Sequence, residues 1–163
     1  MQKITPFLWF DSQAEKAAQF YVSIFKNSKL GHVSRYGKEG YEIHKQPEGR
    51  VMAVDFELDG QLFTALNGGP LVKFNESVSF QVHCDTQEEV DYYWEALSTG
   101  GDPKAQQCGW LKDKYGLSWQ VVPTVLPKLL TDKNKEKSER VMKALLQMKK
   151  LDIAGLARAY EQN

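Results

Sequence analysis

Val78-Ser79-Phe80-Gln81-Val82-His83-Cys84-Asp85-Thr86-Gln87-Glu88-Glu89 repeats, 74 residues on, the plan of Ile4-Thr5-Pro6-Phe7-Leu8-Trp9-Phe10-Asp11-Ser12-Gln13-Ala14-Glu15. In each, an alternating apolar stretch reads as a strand and runs into a helix start. Each start carries a capping box, Ser12 with Glu15 and Thr86 with Glu89. The offset of 74 pairs Asp11 with Asp85, Ser12 with Thr86, Gln13 with Gln87, Glu15 with Glu89 and Phe20 with Trp94. An offset of 56 pairs Gly60 with Gly116, Phe63 with Trp119 and Thr64 with Gln120. Two related modules predict an internal duplication.

Helix stripes follow both caps: Ala14, Ala17, Ala18, Tyr21 and Phe25, then Val90, Tyr93, Trp94 and Leu97 before Gly100-Gly101. The first module continues with strands over 30–36, 51–58 and 62–66, a polar loop over 37–49, and a hairpin signal at Asp59-Gly60. The second continues with strands over 106–111 and 117–122 around Tyr115-Gly116, so it is shorter by about one hairpin limb. Residues 125–163 change character. Val141, Leu145 and Met148, then Ile153, Leu156, Ala157 and Tyr160, fall at helical spacing, with Asp152 placed to cap the last helix.

The chain has 163 residues with 21 basic and 21 acidic side chains. This neutrality argues against a dedicated nucleic-acid binder. It hides a split: residues 1–124 hold 12 basic and 16 acidic groups, and 125–163 hold 9 and 5. The basic tail reads as solvated helix faces. Cys84 and Cys108 read as reduced thiols, not a disulfide framework. No apolar run approaches the ~20 residues of a membrane span, and the first residues lack a signal peptide's zones. The expectation is a cytoplasmic protein with no membrane partner.

The run Cys108-Gly109-Trp110-Leu111-Lys112-Asp113-Lys114-Tyr115-Gly116-Leu117-Ser118-Trp119-Gln120-Val121-Val122-Pro123 resembles the hallmark of a known branch. Paired modules of this kind resemble the vicinal oxygen chelate superfamily of glyoxalase I, extradiol dioxygenases and bleomycin-resistance proteins. The run is similar to its PhnB-like branch, whose members often carry the label 3-demethylubiquinone-9 3-methyltransferase. Ala65-Leu66-Asn67-Gly68-Gly69 and Lys150-Leu151-Asp152-Ile153-Ala154 fit that branch too. The resemblance implies an α+β fold of two β-α-β-β-β-type modules (1–72 and 73–124) within a paired-module domain, 1–124. Each module would form a curved mixed sheet with a concave cavity, and residues 125–163 a C-terminal helical extension. It also implies a homodimer.

Strand alternation selects the face opposite the helices. Thr5, Trp9, Ser79, Gln81, His83 and Gln120 belong to it, an aromatic wall with a few polar groups suited to a small molecule. Trp9, Gln81, His83 and Gln120 are the expected ligand contacts, with Trp110 as a lid, while Trp119 should face the helices. The superfamily's metal positions, matched to this sequence, fall on Thr5, Thr64, Ser79 and Gln120. All four are neutral hydroxyl or amide groups, poor ligands for a divalent transition metal. No metal and no cofactor are expected. His83 is a candidate general base, and Asp55 on the same face could pair with it or with Arg35, or be solvated at the cavity rim. His32 and His44 read as structural or exposed, and Cys108 as a small hydrophobe.

Two readings follow. One is a homodimeric binding protein for a small amphipathic or aromatic molecule. The other is an enzyme of the superfamily, a lyase, isomerase or transferase acting on a small oxygenated substrate. Methyl transfer fits poorly, because no Gly-rich strand-to-helix loop is present for a methyl donor.

Overall fold

The computed structural model describes residues 2–162. The chain divides into two compact units, Met1–Phe74 and Asn75–Asn163.

In the first unit the elements run β1 (Phe7–Phe10), α1 (Ala14–Ile24), β2 (Lys29–Arg35), α2 (Tyr41–His44), β3 (Val51–Leu58) and β4 (Gln61–Asn67). The sheet order is β1-β4-β3-β2, with β1 parallel to β4 and the other pairs antiparallel. The β1 ladder begins at Phe7, because Pro6 has no donor; the Pro6 carbonyl instead accepts from Thr64 N at 3.0 Å. Asp59 and Gly60 both have positive φ, 46° and 80°, and close the two-residue β3–β4 hairpin between Leu58 and Gln61. Ala14, Ala17, Ala18, Tyr21 and Ile24 of α1 are buried with Val54, Phe56, Leu58 and Phe63. Helix α1 stops at Ile24, so Ile24 rather than Phe25 ends the buried stripe. The expected loop over 37–49 contains the single turn α2. It lies between Gly40 and Lys45, both left-handed, and buries no residue, so no apolar period announced it.

The first capping box does not form. Ser12 and Glu15 supply no cap bond to α1. The Ala14 amide donates instead to Asn67 Oδ1 at 2.8 Å, from the end of β4. Asn67 is buried; its Nδ2 donates to Val51 O at 3.0 Å, and its carbonyl accepts from Tyr36 Oη at 2.7 Å. In the second unit the box does form: Glu89 N donates to Thr86 Oγ1, and Asp85 N donates to Glu89 Oε2 at 2.7 Å. The offset of 56 explains the difference. It carries Asn67 to Pro123, whose side chain can accept nothing.

The second unit runs β5 (Ser79–Cys84), α3 (Gln87–Ser98), a 3-10 turn (Pro103–Ala105), β6 (Trp110–Lys112), β7 (Ser118–Pro123), α4 (Leu126–Leu130), α5 (Lys135–Leu145) and α6 (Ile153–Glu161). Its sheet order is β5-β7-β6, with β5 parallel to β7. Both offsets reappear in the strand register. The pair Phe7–Thr64 in the first sheet maps onto the pair Gln81–Gln120 in the second. Each unit is thus α+β with a mixed sheet, one of four strands and one of three.

Strand β6 is shorter than the expected 106–111. Cys108 (φ 52°) and Gly109 (φ 84°) leave the extended region, and their amides donate to Met148 O and Lys149 O, both at 2.8 Å. A Cβ on Gly109 would lie 2.9 Å from Val121 O, so glycine alone permits this approach. The tail is bound further by Gln87, whose side chain donates to Leu151 O and accepts from Ile153 N. Val122, Leu126, Val141, Leu145, Leu151 and Leu156 form its core. Asp152 occupies the cap position of α6 but makes no cap bond; its carboxylate meets Arg158, and Gln87 serves the first amide instead. Ala157 is exposed, so Leu156 and Tyr160 carry the inward stripe. Among the described residues, no helix is long and apolar enough to cross a membrane.

Candidate functional site

The hallmark run folds as a stapled hairpin. Asp113 is buried at the β6–β7 turn, where its Oδ1 accepts from the amides of Tyr115 (2.8 Å) and Leu117 (3.1 Å). Its Oδ2 accepts from Trp119 Nε1 at 2.9 Å. Gly116, at φ 85°, completes the turn. The most specific part of the motif therefore builds the sheet, and the expected ligand contacts Gln81, His83 and Gln120 lie on its other face.

Trp119 is 3% exposed and packs against Phe80 at 5.6 Å between ring centroids. Gln120 next to it projects to the opposite face and is half-buried. There Gln120 Nε2 donates to Ser79 Oγ at 2.9 Å, and Gln81 Nε2 donates to Gln120 Oε1 at 3.3 Å. This amide–hydroxyl ladder spans β5 and β7. Trp110 stands opposite Gln120 in the β6–β7 register, and Lys112 opposite Ser118. Trp110, the expected lid, is the first residue of β6 and half-buried on this face. His83 lies exposed on the same face near the end of β5.

In the first unit Thr64 Oγ1 donates to Asp55 Oδ1 at 2.7 Å across β3 and β4. Arg35 is not the partner of Asp55: its Nη1 donates to Gly49 O at 3.0 Å. Trp9 is half-buried, and its Nε1 donates to Gly69 O at 2.9 Å. Its ring lies on Gly68, where a Cβ would come within 2.2 Å of the indole. Thr5 precedes β1 and is exposed. His32 is exposed in β2. His44 accepts from Gln46 N at Nδ1 and bonds Glu39 O through Nε2, a structural placement.

The donor set does not fit the superfamily's metal. Thr64 donates to the Asp55 carboxylate, and Gln120 bonds Ser79 and Gln81, so the three positions themselves offer only neutral hydroxyl or amide groups. Among the described residues, no three His, Cys, Asp or Glu side chains cluster as a metal site. Asp55 and His83 belong to different units, each placed within its own sheet.

The two cysteines differ. Cys84 is fully buried, and its thiol pKa is pushed up to about 12, by burial first and then by Glu89 and Asp85. Cys108 is half-buried, with Gln107 Nε2 at 3.4 Å from its sulfur. Cys84 carries a pH prediction. A thiol harder to ionise in the fold than in the unfolded chain stabilises fully below its unfolded value of ~8.5. That stability is lost as pH rises from there towards 12, with a slope of at most about 1.4 kcal/mol per pH unit. Urea unfolding at pH 8, 9 and 10 should show this fall, and Cys84→Ala should make it shallower.

A further signal on this face escaped the strand alternation. Ser118 shares the face of Gln120 but is only 1% exposed, beside a cavity that no linear motif marks.

The comparisons with known proteins agree with this geometry. The model of the family described as 3-demethylubiquinone-9 3-methyltransferase matches residues 2–122. The PhnB protein from Bacillus cereus is 36% identical, with 76% of this chain and 100% of that chain covered and a TM-score of 0.62. Protein PA1353 from Pseudomonas aeruginosa is 18% identical over 76% of this chain and 98% of that one, with a TM-score of 0.57. The fosfomycin resistance protein FosX from Mesorhizobium loti is 12% identical over 81% and 100%, with a TM-score of 0.55, a likeness of fold alone. No curated protein matches the chain. With two duplicated modules in matching register and a family model spanning most of its length, the chain belongs to the 3-demethylubiquinone-9 3-methyltransferase family, the PhnB-like branch of the vicinal oxygen chelate superfamily.

Proposed function

We propose that this protein is a homodimeric binding protein for a small amphipathic molecule, of the glyoxalase and bleomycin-resistance type, working without the superfamily metal. The observation that carries the reading is the Ser79–Gln120–Gln81 ladder beside Trp110. It puts amide donors and acceptors next to a flat apolar wall, with neutral groups at the positions Ser79 and Gln120 that the resemblance matches to the metal. The dimer rests on the edges. Strands β1 and β5 are edge strands, and Ile4 and Val78, equivalent under the offset of 74, precede them at 85% and 62% exposure. Exposed apolar groups at open edges call for cover.

Methyl transfer is not part of the proposal, although the family carries that label. The glycine pairs that could serve a donor loop have other work: Gly68 gives room to the Trp9 indole, and Gly100 follows the end of α3. A cytoplasmic setting fits the two free thiols.

Gln120→Ala tests the site. Gln120 is half-buried and bonds only side chains in the ladder, so the variant should lose no more than about 1 kcal/mol of stability. It should nonetheless weaken the molecule that co-purifies with the protein, read as its occupancy in native mass spectra. Unchanged occupancy in a folded variant would remove the ladder from the site.

A further inference from the structure

A cavity of about 440 Å³ lies in the second unit, bordered by Ala105, Cys108, Trp110, Leu111, Lys112 and Ser118 among others. Its size is within the range of small-molecule sites. Its walls are mainly apolar, but one buried polar atom breaks them. Ser118 Oγ is buried and has no hydrogen-bond partner among the described residues, whereas nearly all such groups in folded proteins are satisfied. Ser118 stands opposite Lys112 across the β6–β7 register, so the hydroxyl and the ammonium stem start on the same side of the sheet. Lys112 Nζ pairs with Glu76, whose carboxylate is largely exposed and is held below the usual carboxylate range chiefly by its hydrogen bond to that lysine.

We infer that this cavity is an anchoring subsite for a small aromatic carboxylate, its ring against Trp110 and its oxygens taking hydrogen bonds from Ser118 Oγ and Lys112 Nζ. This rests on the binding reading above and deepens it. The hydroxyl gains the partner it lacks. Lys112 stays paired, because the incoming carboxylate takes the place of Glu76, which can turn to solvent at little cost. A ring of one or two fused cycles fits the volume, with the indole of Trp110 as a flat contact. A cationic ligand is disfavoured by the lysine at the polar end, and a purely apolar one leaves Ser118 unsatisfied.

The test is a calorimetric titration of the full chain with 2-naphthoate, against 2-naphthol as the uncharged comparison. Saturable binding of one naphthoate per chain is expected, with 2-naphthol weaker. Ser118→Ala and Lys112→Met should each weaken naphthoate at least about tenfold. Ser118→Ala should also melt at the same temperature as the parent or higher, since it removes an unsatisfied buried hydroxyl. A clearly lower melting temperature would mean that the hydroxyl serves the fold, and would overturn the assignment. So would equal naphthoate affinity in parent and Ser118→Ala. Binding lost in Gln120→Ala but kept in Ser118→Ala would place the ligand on the ladder, leaving the wider reading standing and this subsite refuted. Absence of saturable binding to the parent overturns the carboxylate assignment; retention of a co-purified molecule then judges the wider reading separately.

Discussion

Trp119→Ala is expected to cost about 3–5 kcal/mol of stability, the usual range for deleting a buried tryptophan. The side chain is buried on the helix side of the second sheet, against Phe80. Its loss opens a cavity and also takes a donor from the buried Asp113 carboxylate. Trp119→Phe is the milder companion. It keeps one aromatic ring against Phe80 but loses the N–H and part of the indole volume, so it should cost about 1–3 kcal/mol. Urea unfolding with fluorescence and circular dichroism reads both. A Trp119→Ala variant within 1 kcal/mol of the parent would mean that the β7 register is displaced by one residue, and Gln120 would then lose its place on the open face.

The second large effect belongs to Asn67→Ala, expected to cost about 2–4 kcal/mol. One part is the cap of α1, worth about 1–2 kcal/mol. The other is the Val51 carbonyl, which loses its donor in a buried place. Ser12→Ala is the informative control. Ser12 is where a local reading puts the cap, yet its side chain makes no cap bond, so the change should stay within about 0.5 kcal/mol. Thr86→Ala at the equivalent place in the second unit should cost about 1 kcal/mol, because there the cap is real. Equal effects of Ser12→Ala and Thr86→Ala would contradict the asymmetry between the modules.

These variants mark the boundary of what local patterns encode. Strand alternation has a period of two, and that alone separates Trp119 from Gln120 and Phe80 from Gln81. Asp59-Gly60 specifies its own hairpin, because both residues tolerate positive φ. The duplication was visible as two offsets, and the Phe7–Thr64 and Gln81–Gln120 pairs obey them. What could not be read locally depends on partners far along the chain. Asn67 reaches Ala14 across 53 residues, and the choice between Asn67 and Ser12 as cap is made by tertiary packing. The short β6 follows from Cys108 and Gly109 bonding the backbone of Met148 and Lys149, about 40 residues away. The candidate site divides the same way. The polar ladder follows from alternation, but the burial of Ser118 and its cavity depend on how 105–112 folds beside β7. The expected lid, Trp110, is a strand residue for the same reason.

Native mass spectrometry of the protein as purified, with elemental analysis of the same sample, tests the proposed metal-free binding function most directly. The proposal predicts a dimer, a retained small organic molecule released on activation, and no stoichiometric transition metal. A monomer at micromolar concentration, or close to one zinc, nickel or iron per chain, would contradict it.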